Sequence, residues 1–246
     1  MSLRIDYRGT RALVTGGTRG IGRAIAEAFL ERGTTVVVTG TGADAPEWVA
    51  HREGCSYARL DWLDEACAAA FLGALPDIGP FDVLVNNAGI HAPRPIDDLD
   101  LETWRRVIAV DLEGPARLTA AVAREMRERG SGRVLNVASI AAFVSRPGGA
   151  AYAAAKAGLV GLTRAAALDL APYGVLVNAL CPGYTATDMA QRTLTAEQRE
   201  DLRRAVPLDR LAQPAEIASV ALFLCSGLNT YVTGQTVTVD GGVTAA

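Results

Sequence analysis

The stretch A-L-V-T-G-G-T-R-G-I-G, Ala12 to Gly22, decides how this chain folds. Ala12 to Thr15 reads as a short buried strand that runs straight into a turn with glycines at Gly16, Gly20 and Gly22. Apolar residues at Ile21, Ala24, Ile25, Ala28 and Phe29 then recur at helical spacing and stop at Gly33, a suitable helix cap. The β-branched run T-T-V-V-V-T, Thr34 to Thr39, predicts a second strand. Together these make a βαβ unit. Glycine lets the backbone come close to a pyrophosphate, while the helix N-terminus offers free N–H groups and partial positive charge. The spacing G-x-x-x-G-x-G has one residue more than the commonest dinucleotide fingerprint. Its setting between strand and helix makes Gly16, Thr18, Arg19, Gly20, Ile21 and Gly22 candidates for holding a dinucleotide.

A carboxylate that would bond a ribose 2′-hydroxyl is expected ~20 residues on, at the end of the second strand. Thr39, Gly40 and Thr41 stand there instead. With no carboxylate to repel a 2′-phosphate, and Arg19 placed to pair with one, NADP(H) is favoured over NAD(H). Asp44, a few residues later, keeps NAD(H) in play.

The same alternation continues along the chain. A third strand, Cys55 to Leu60, ends at Asp61 and Trp62, and a helix is expected from about Asp64 to Ala74. A fourth strand, Phe81 to Val85, ends in N-N-A-G, where Asn87, Ala88 and Gly89 can line a crevice at the strand's carboxyl end. One long amphipathic helix from about Leu101 to Arg129 is predicted to kink at Gly114-Pro115. A fifth strand, Arg133 to Ser139, a helix over Ala150 to Leu170, a sixth strand over Val175 to Leu180 and a last one over Thr236 to Val239 complete the pattern. Strands alternating with helices from end to end imply a mostly parallel sheet with helices on both faces. No linker or repeat marks a boundary, so a single domain over 1–246 is expected, with a mobile substrate lid at about 184–210.

Tyr152 and Lys156 stand four apart in an Ala-rich helical run and share one face. A lysine ammonium beside a phenol favours the phenolate, which suits a tyrosine that gives and takes a proton. Ser139, where the fifth strand enters a loop, can face the same pocket and hydrogen-bond a carbonyl oxygen.

Composition narrows the alternatives. Half of the 246 residues are hydrophobic, enough for a sizeable core, and the net charge of −3 is spread without a basic block, which argues against nucleic acid as a partner. No apolar run approaches the ~18 residues of a membrane span, so a cytoplasmic protein with no membrane partner is expected. Cys55, Cys67, Cys181 and Cys225 form no C-x-x-C pair and read as reduced core thiols, with no metal site expected.

These motifs, taken in order, resemble the short-chain dehydrogenase/reductase family over essentially the whole chain: T-G-G-T-R-G-I-G at Thr15 to Gly22, Asp61, N-N-A-G at Asn86 to Gly89, Ser139, Y-x-x-x-K at Tyr152 to Lys156, P-G at Pro182 to Gly183 and V-D-G-G at Val239 to Gly242. The resemblance implies a Rossmann-type, doubly wound domain with a seven-stranded sheet. It implies an enzyme, usually a homotetramer with a homodimer as the alternative, that moves a hydride between a nicotinamide and a ketone or secondary alcohol. It also implies roles. The glycine turn takes the pyrophosphate, Asp61 the adenine and Asn87 a place beside the nicotinamide ribose. Lys156 binds ribose hydroxyls and favours the Tyr152 phenolate, Tyr152 protonates the carbonyl oxygen, and Ser139 polarises it. Pro182 and Gly183 pack by the carboxamide, which Thr185 or Thr187 bonds. The family's fourth catalytic residue is an asparagine, and here Asp111 replaces it. An ionised Asp111 near Lys156 is expected to offset part of the lysine's field at Tyr152.

The substrate end is the least determined. His91, Phe143, Arg146, Gly149 and Tyr184 are the candidates, with Arg94 a further cation. The pattern is most similar to 3-oxoacyl-(acyl-carrier-protein) reductases and to sugar or polyol dehydrogenases, and a carrier protein would want a basic patch such as Arg124, Arg127 and Arg129. The alternative is a catalytically silent cofactor-binding sensor or scaffold of the same fold, since fold alone does not prove turnover.

Overall fold

The computed structural model describes residues 5–187 and 195–245. Seven strands form one sheet: β1 (Arg11–Val14), β2 (Thr35–Gly40), β3 (Cys55–Arg59), β4 (Val83–Asn86), β5 (Gly132–Val137), β6 (Val175–Pro182) and β7 (Thr236–Val239). Their order is β3-β2-β1-β4-β5-β6-β7, and every pairing is parallel, with Val14 opposite Val38 on one side and Val85 on the other. The expected mostly parallel sheet is thus wholly parallel among the described residues. Parallel strands covered on both faces read as continuous apolar runs, as β1, β2 and β4 do.

Helices cover both faces. On one side α1 (Gly20–Leu30) packs with the late helix α8 (Pro214–Cys225), burying Ile25, Phe29, Ile217 and Leu222 against Val14, Val38 and Leu135. On the other, α3 (Glu65–Ile78), α5 (Gly114–Arg129) and α6 (Ala150–Leu170) cover Leu13, Leu84 and Val134, and α4 (Leu101–Ile108) packs Val107 against Ala151 and Ala155 of α6. Two shorter helices, α2 (Glu47–Ala50) and α7 (Ala196–Arg204), lie in connections. Among the described residues no helix is long and apolar enough to cross a membrane.

Two local features depart from expectation. The third helix runs on to Ile78, so Pro76 falls inside its last turns. The long helix is two α-segments joined by a π-helical turn over Ala109–Glu113, which ends at Gly114-Pro115. The physical reason is local. Pro115 has no N–H to give the Asp111 carbonyl four residues earlier, and the widened turn at its N-terminal side takes up the mismatch. Asp111 lies inside that turn.

The strand order reverses between β1 and β4, where the chain leaves the sheet in opposite directions. A crevice opens there at the carboxyl ends of the strands, and it is the ordinary ligand position in such sheets.

Candidate active site

A cavity of about 580 Å³ fills that crevice. Its wall brings together Gly16, Thr18, Arg19, Gly20, Ile21, Gly22, Gly40, Thr41, Asp61 and Trp62 at one end, with Asn87, Ala88, Gly89, His91, Ser139, Tyr152, Lys156, Pro182, Gly183, Thr185 and Thr187 at the other. These come from the carboxyl ends of six strands and from the first two turns of α1 and α6. Phe143 and Tyr184 lie outside this wall, while Arg146 and Gly149 line a neighbouring cavity with Pro93 and Arg94. The expected lid at about 184–210 includes 188–194, which lie outside the described residues.

The glycine turn is tight for stated reasons. Gly16 has φ +61°, and a Cβ there would sit 2.9 Å from the Ala88 Cα. At Gly22 a Cβ would lie 2.3 Å from the Asn87 side-chain nitrogen. Asn87 Nδ2 donates to the carbonyls of Thr15 (2.9 Å) and Gly16 (3.2 Å), and Thr15 Oγ1 accepts the N–H groups of Asn87 (2.9 Å) and Ala88 (3.0 Å). Asn87 therefore laces the two sides of the crevice together. Thr15 is the partner that sequence reasoning passes over, because as the last strand residue before two glycines it carries no signal of its own. Trp48 Nε1 donates to the Thr18 carbonyl at 3.0 Å and steadies the far side of the turn.

A dinucleotide fits this cradle. The α1 N-terminus has no side-chain cap, which leaves its first N–H groups for an anion. Arg19 makes no ion pair among the described residues, and no carboxylate stands at Thr39, Gly40 or Thr41. A Cβ at Gly20 would be 3.6 Å from Thr187 Cγ2, so the segment after β6 crosses over the turn. Asp61 uses one oxygen to accept the Leu63 N–H at 2.9 Å. Trp62 lines the cavity with its indole packed on Gly114, where a Cβ would come within 2.6 Å of the ring.

Beside the cradle sits the proton-transfer group. Lys156 Nζ lies 3.1 Å from Asp111 Oδ2, donates to the Val137 carbonyl at 3.1 Å and stands 5.5 Å from the Tyr152 ring centroid. Both charged side chains are buried, with 4% and 0% exposure. Asp111 Oδ1 accepts the Ile90 N–H at 2.8 Å, while Oδ2 faces the Lys156 ammonium. Burial pushes the Asp111 carboxyl above its usual range, and Lys156 offsets only part of that. Burial alone would lower Lys156, but the fields of Asp111 and Tyr152 outweigh it and hold the ammonium above its ordinary value. Gly89 is required here, since its Cβ would come 2.7 Å from Asp111 Oδ2.

His91 stands edge-on to Tyr152, with centroids 5.1 Å apart. Partial burial lowers the imidazole below its usual value against the opposing pull of Asp111. Ser139 Oγ accepts the Ala141 N–H at 3.1 Å as β5 ends. Beneath these groups runs a buried polar chain absent from sequence reasoning. Asn86 Nδ2 donates to Thr119 Oγ1 (3.0 Å) and Asn136 Oδ1 (2.8 Å), and Asn136 Nδ2 donates to Thr163 Oγ1 (2.9 Å), tying α5, β4, β5 and α6 together. Among the described residues no group of His, Cys, Asp and Glu could hold a metal, and the four cysteines are free thiols, with burial pushing Cys181 up to about 11.

A dinucleotide cradle abutting a Ser, Tyr and Lys set defines the class as an α/β oxidoreductase. The chain matches the family model described as enoyl-(acyl carrier protein) reductase over residues 16–244. It is 38% identical to the 3-oxoacyl-(acyl-carrier-protein) reductase of Aquifex aeolicus over 248 residues, covering 98% of this chain and 100% of that one. It is 41% identical to the cis-4-hydroxycyclohexanecarboxylate dehydrogenase of Sinomonas cyclohexanicum over 242 residues, 95% of this chain and 96% of that protein. The solved gluconate 5-dehydrogenase from Burkholderia cenocepacia J2315, in complex with NADP and tartrate, superimposes with a TM-score of 0.91 at 33% identity, covering 98% of this chain and 97% of the other. The chain belongs to the short-chain dehydrogenase/reductase family of oxidoreductases.

Proposed function

We propose that this protein is an NADP(H)-dependent reductase or dehydrogenase that interconverts a ketone and a secondary alcohol, with Tyr152 as the general acid and base. The observation that carries the reading is the single cavity in which the uncapped start of α1 and Arg19 lie at one end and Ser139, Tyr152 and Lys156 at the other. The nicotinamide supplies or accepts the hydride when bound.

The chain's own groups do the rest. Ser139 orients the carbonyl oxygen by a hydrogen bond, Tyr152 delivers a proton to it in reduction and removes one in oxidation, and Lys156 keeps a positive charge beside the phenol and binds the ribose hydroxyls. Asp111 acts as a positioning residue through Lys156. Gly16, Gly20 and Gly22 let the backbone approach the pyrophosphate, Asp61 faces the adenine, and Pro182, Gly183, Thr185 and Thr187 bound the carboxamide. NADP(H) is favoured by Arg19 and by the missing carboxylate after β2, and the NADP bound by the Burkholderia relative agrees with that choice.

Two substrate types compete, 3-oxoacyl thioesters and small hydroxy acids. The basic docking patch that a carrier protein would need is weakened here, because Arg129 is bonded to the Phe81 carbonyl and flanked by Asp82 and Glu125. We assign the chain to one domain with a lid over about 184–210, and to a homotetramer, for which the 78% exposure of Leu168 on α6 offers an apolar contact. Oxidation of NADPH and of NADH across acyl thioesters, cyclic ketones and keto acids tests the function. Turnover of at least one ketone with NADPH preferred is expected, and cofactor binding with no turnover in either direction would contradict it.

A further inference from the structure

Resting on that reading, we infer that the substrate is a keto or hydroxy acid with an apolar body, and that Arg146 binds its carboxylate at the mouth of the active site. The loop that follows Ser139 carries Phe143, Val144 and Arg146 before α6 begins at Ala150. The loop that follows β6 carries Tyr184 between Gly183 and Thr185, both of which line the cavity. The Arg146 guanidinium lies 4.5 Å from the Tyr184 ring centroid, so one side chain spans from the wall that begins at Ser139 to the wall that begins at Pro182. Arg146 itself lines the neighbouring cavity with Pro93 and Arg94, next to the wall that carries Ser139 and Tyr152.

Three observations give the site its chemistry. Arg146 is exposed and has no carboxylate partner among the described residues, so its charge is uncompensated. A guanidinium stacked on an aromatic face is held in place with its planar donors still free, which suits bidentate capture of a carboxylate. Among the described residues the rest of the mouth adds no second cation. Arg94, on the neighbouring loop whose N–H bonds the Gly148 carbonyl, is already paired with Asp98 at 3.2 Å, and Lys156 is buried against Asp111. One cation fits a carboxylate better than a doubly charged phosphate.

Along the chain between Ser139 and Arg146 stand the apolar side chains of Phe143 and Val144. Phe143 and Val144 are 52% and 42% exposed, so this loop offers apolar surface to a ligand. A polyhydroxylated chain would leave its hydroxyls unpaired on these groups, whereas a hydrocarbon ring or chain would not. Ser139 and Tyr152 line the active-site cavity and Arg146 lines the adjacent one, so the acid sits at the end of the substrate remote from the carbonyl.

The test compares 4-oxocyclohexanecarboxylate with its methyl ester, in the wild type and in Arg146→Gln, using NADPH. Loss of one charge-assisted contact predicts that the ratio of kcat/KM for the acid to that for the ester falls ~10–100-fold in the variant. An unchanged ratio would overturn the inference. Calorimetric titration of the acid into Tyr152→Phe with NADP present, with and without Arg146→Gln, separates the two layers of the argument. If the wild type turns over neither compound but binding still depends on Arg146, the proposed reaction fails and the carboxylate site stands. Binding of acid and ester with equal affinity would reject the site whether or not turnover is seen.

Discussion

Asp111 and Lys156 form a buried ion pair, 3.1 Å apart, directly behind the Tyr152 ring, where the family has an asparagine in place of the aspartate. The pair is enclosed by Gly89 and by the Ile90 N–H, and its aspartate sits in a π-helical turn whose widened backbone accommodates Pro115. A carboxylate at this position lowers the net positive field that Lys156 exerts on the phenol.

The pH dependence of turnover follows from that field. Asp111 raises Lys156 and opposes its effect on Tyr152, so Asp111→Asn removes a negative charge and favours loss of the phenolic proton. The rise of alcohol oxidation with pH should move to lower pH by ~1 unit in the variant. Superimposable pH-rate profiles would show that Asp111 acts only as a spacer.

Stability carries the same sign logic. The Asp111 carboxyl is held above its unfolded value chiefly by burial. A group raised in the folded state gives stability that is fully present below its unfolded value and is lost as pH rises through the folded value. Asp111 as an anion is therefore a cost at neutral pH. Relative to Asp111→Asn, the wild type should lose denaturant resistance between mildly acidic and neutral pH, as read by urea unfolding at the two ends of that window.

Cofactor choice rests on Arg19. Its guanidinium has no ion pair among the described residues, and no carboxylate occupies the end of β2. Arg19→Ala should weaken NADPH binding ~10–100-fold, the range of one charge-assisted contact, with little change for NADH. Fluorescence titration of both cofactors checks it, and equal losses for the two would move the 2′-phosphate contact elsewhere.

The glycine turn makes a steric prediction. A Cβ at Gly22 would displace the Asn87 amide from the Thr15 and Gly16 carbonyls. Gly22→Ala should cost about 1–3 kcal/mol of stability from overpacking and abolish tight cofactor binding. Thermal unfolding with and without NADP distinguishes this from a surface change, because the NADP-induced rise in Tm should disappear.

Much of this arrangement is legible in the chain. The β1 and β2 runs, the glycine turn and the spacing of Tyr152 and Lys156 declare themselves because each depends on neighbours within a few residues. Parallel strands also announce themselves by continuous apolar runs. What does not declare itself depends on register. Asn86 meets Asn136 only because β4 and β5 align those positions, and Thr163 joins them from a helix further on. Thr15 becomes an acceptor for two N–H groups only once β4 lies beside β1. The π-turn is hidden because Gly114-Pro115 signals a disturbance without saying on which side it is absorbed. Arg94 reads as a candidate anion site, yet Asp98 four residues on satisfies it.

The buried polar chain predicts its own cost. Asn136→Ala removes the acceptor of Asn86 and the donor to Thr163, leaving buried polar atoms without partners. A loss of about 2–3 kcal/mol in urea unfolding is expected, with α6 loosened enough to lower turnover. A loss below the ordinary range for surface changes would mean the chain is dispensable.

The central claim is that Tyr152 moves the proton. The direct measurement is steady-state NADPH oxidation with a ketone substrate by Tyr152→Phe, alongside fluorescence titration of NADPH into the same protein. The account predicts that turnover falls ~100–10,000-fold, the usual worth of a positioned general acid, while NADPH affinity stays within a few-fold of the wild type. Turnover that survives the loss of the hydroxyl would contradict it.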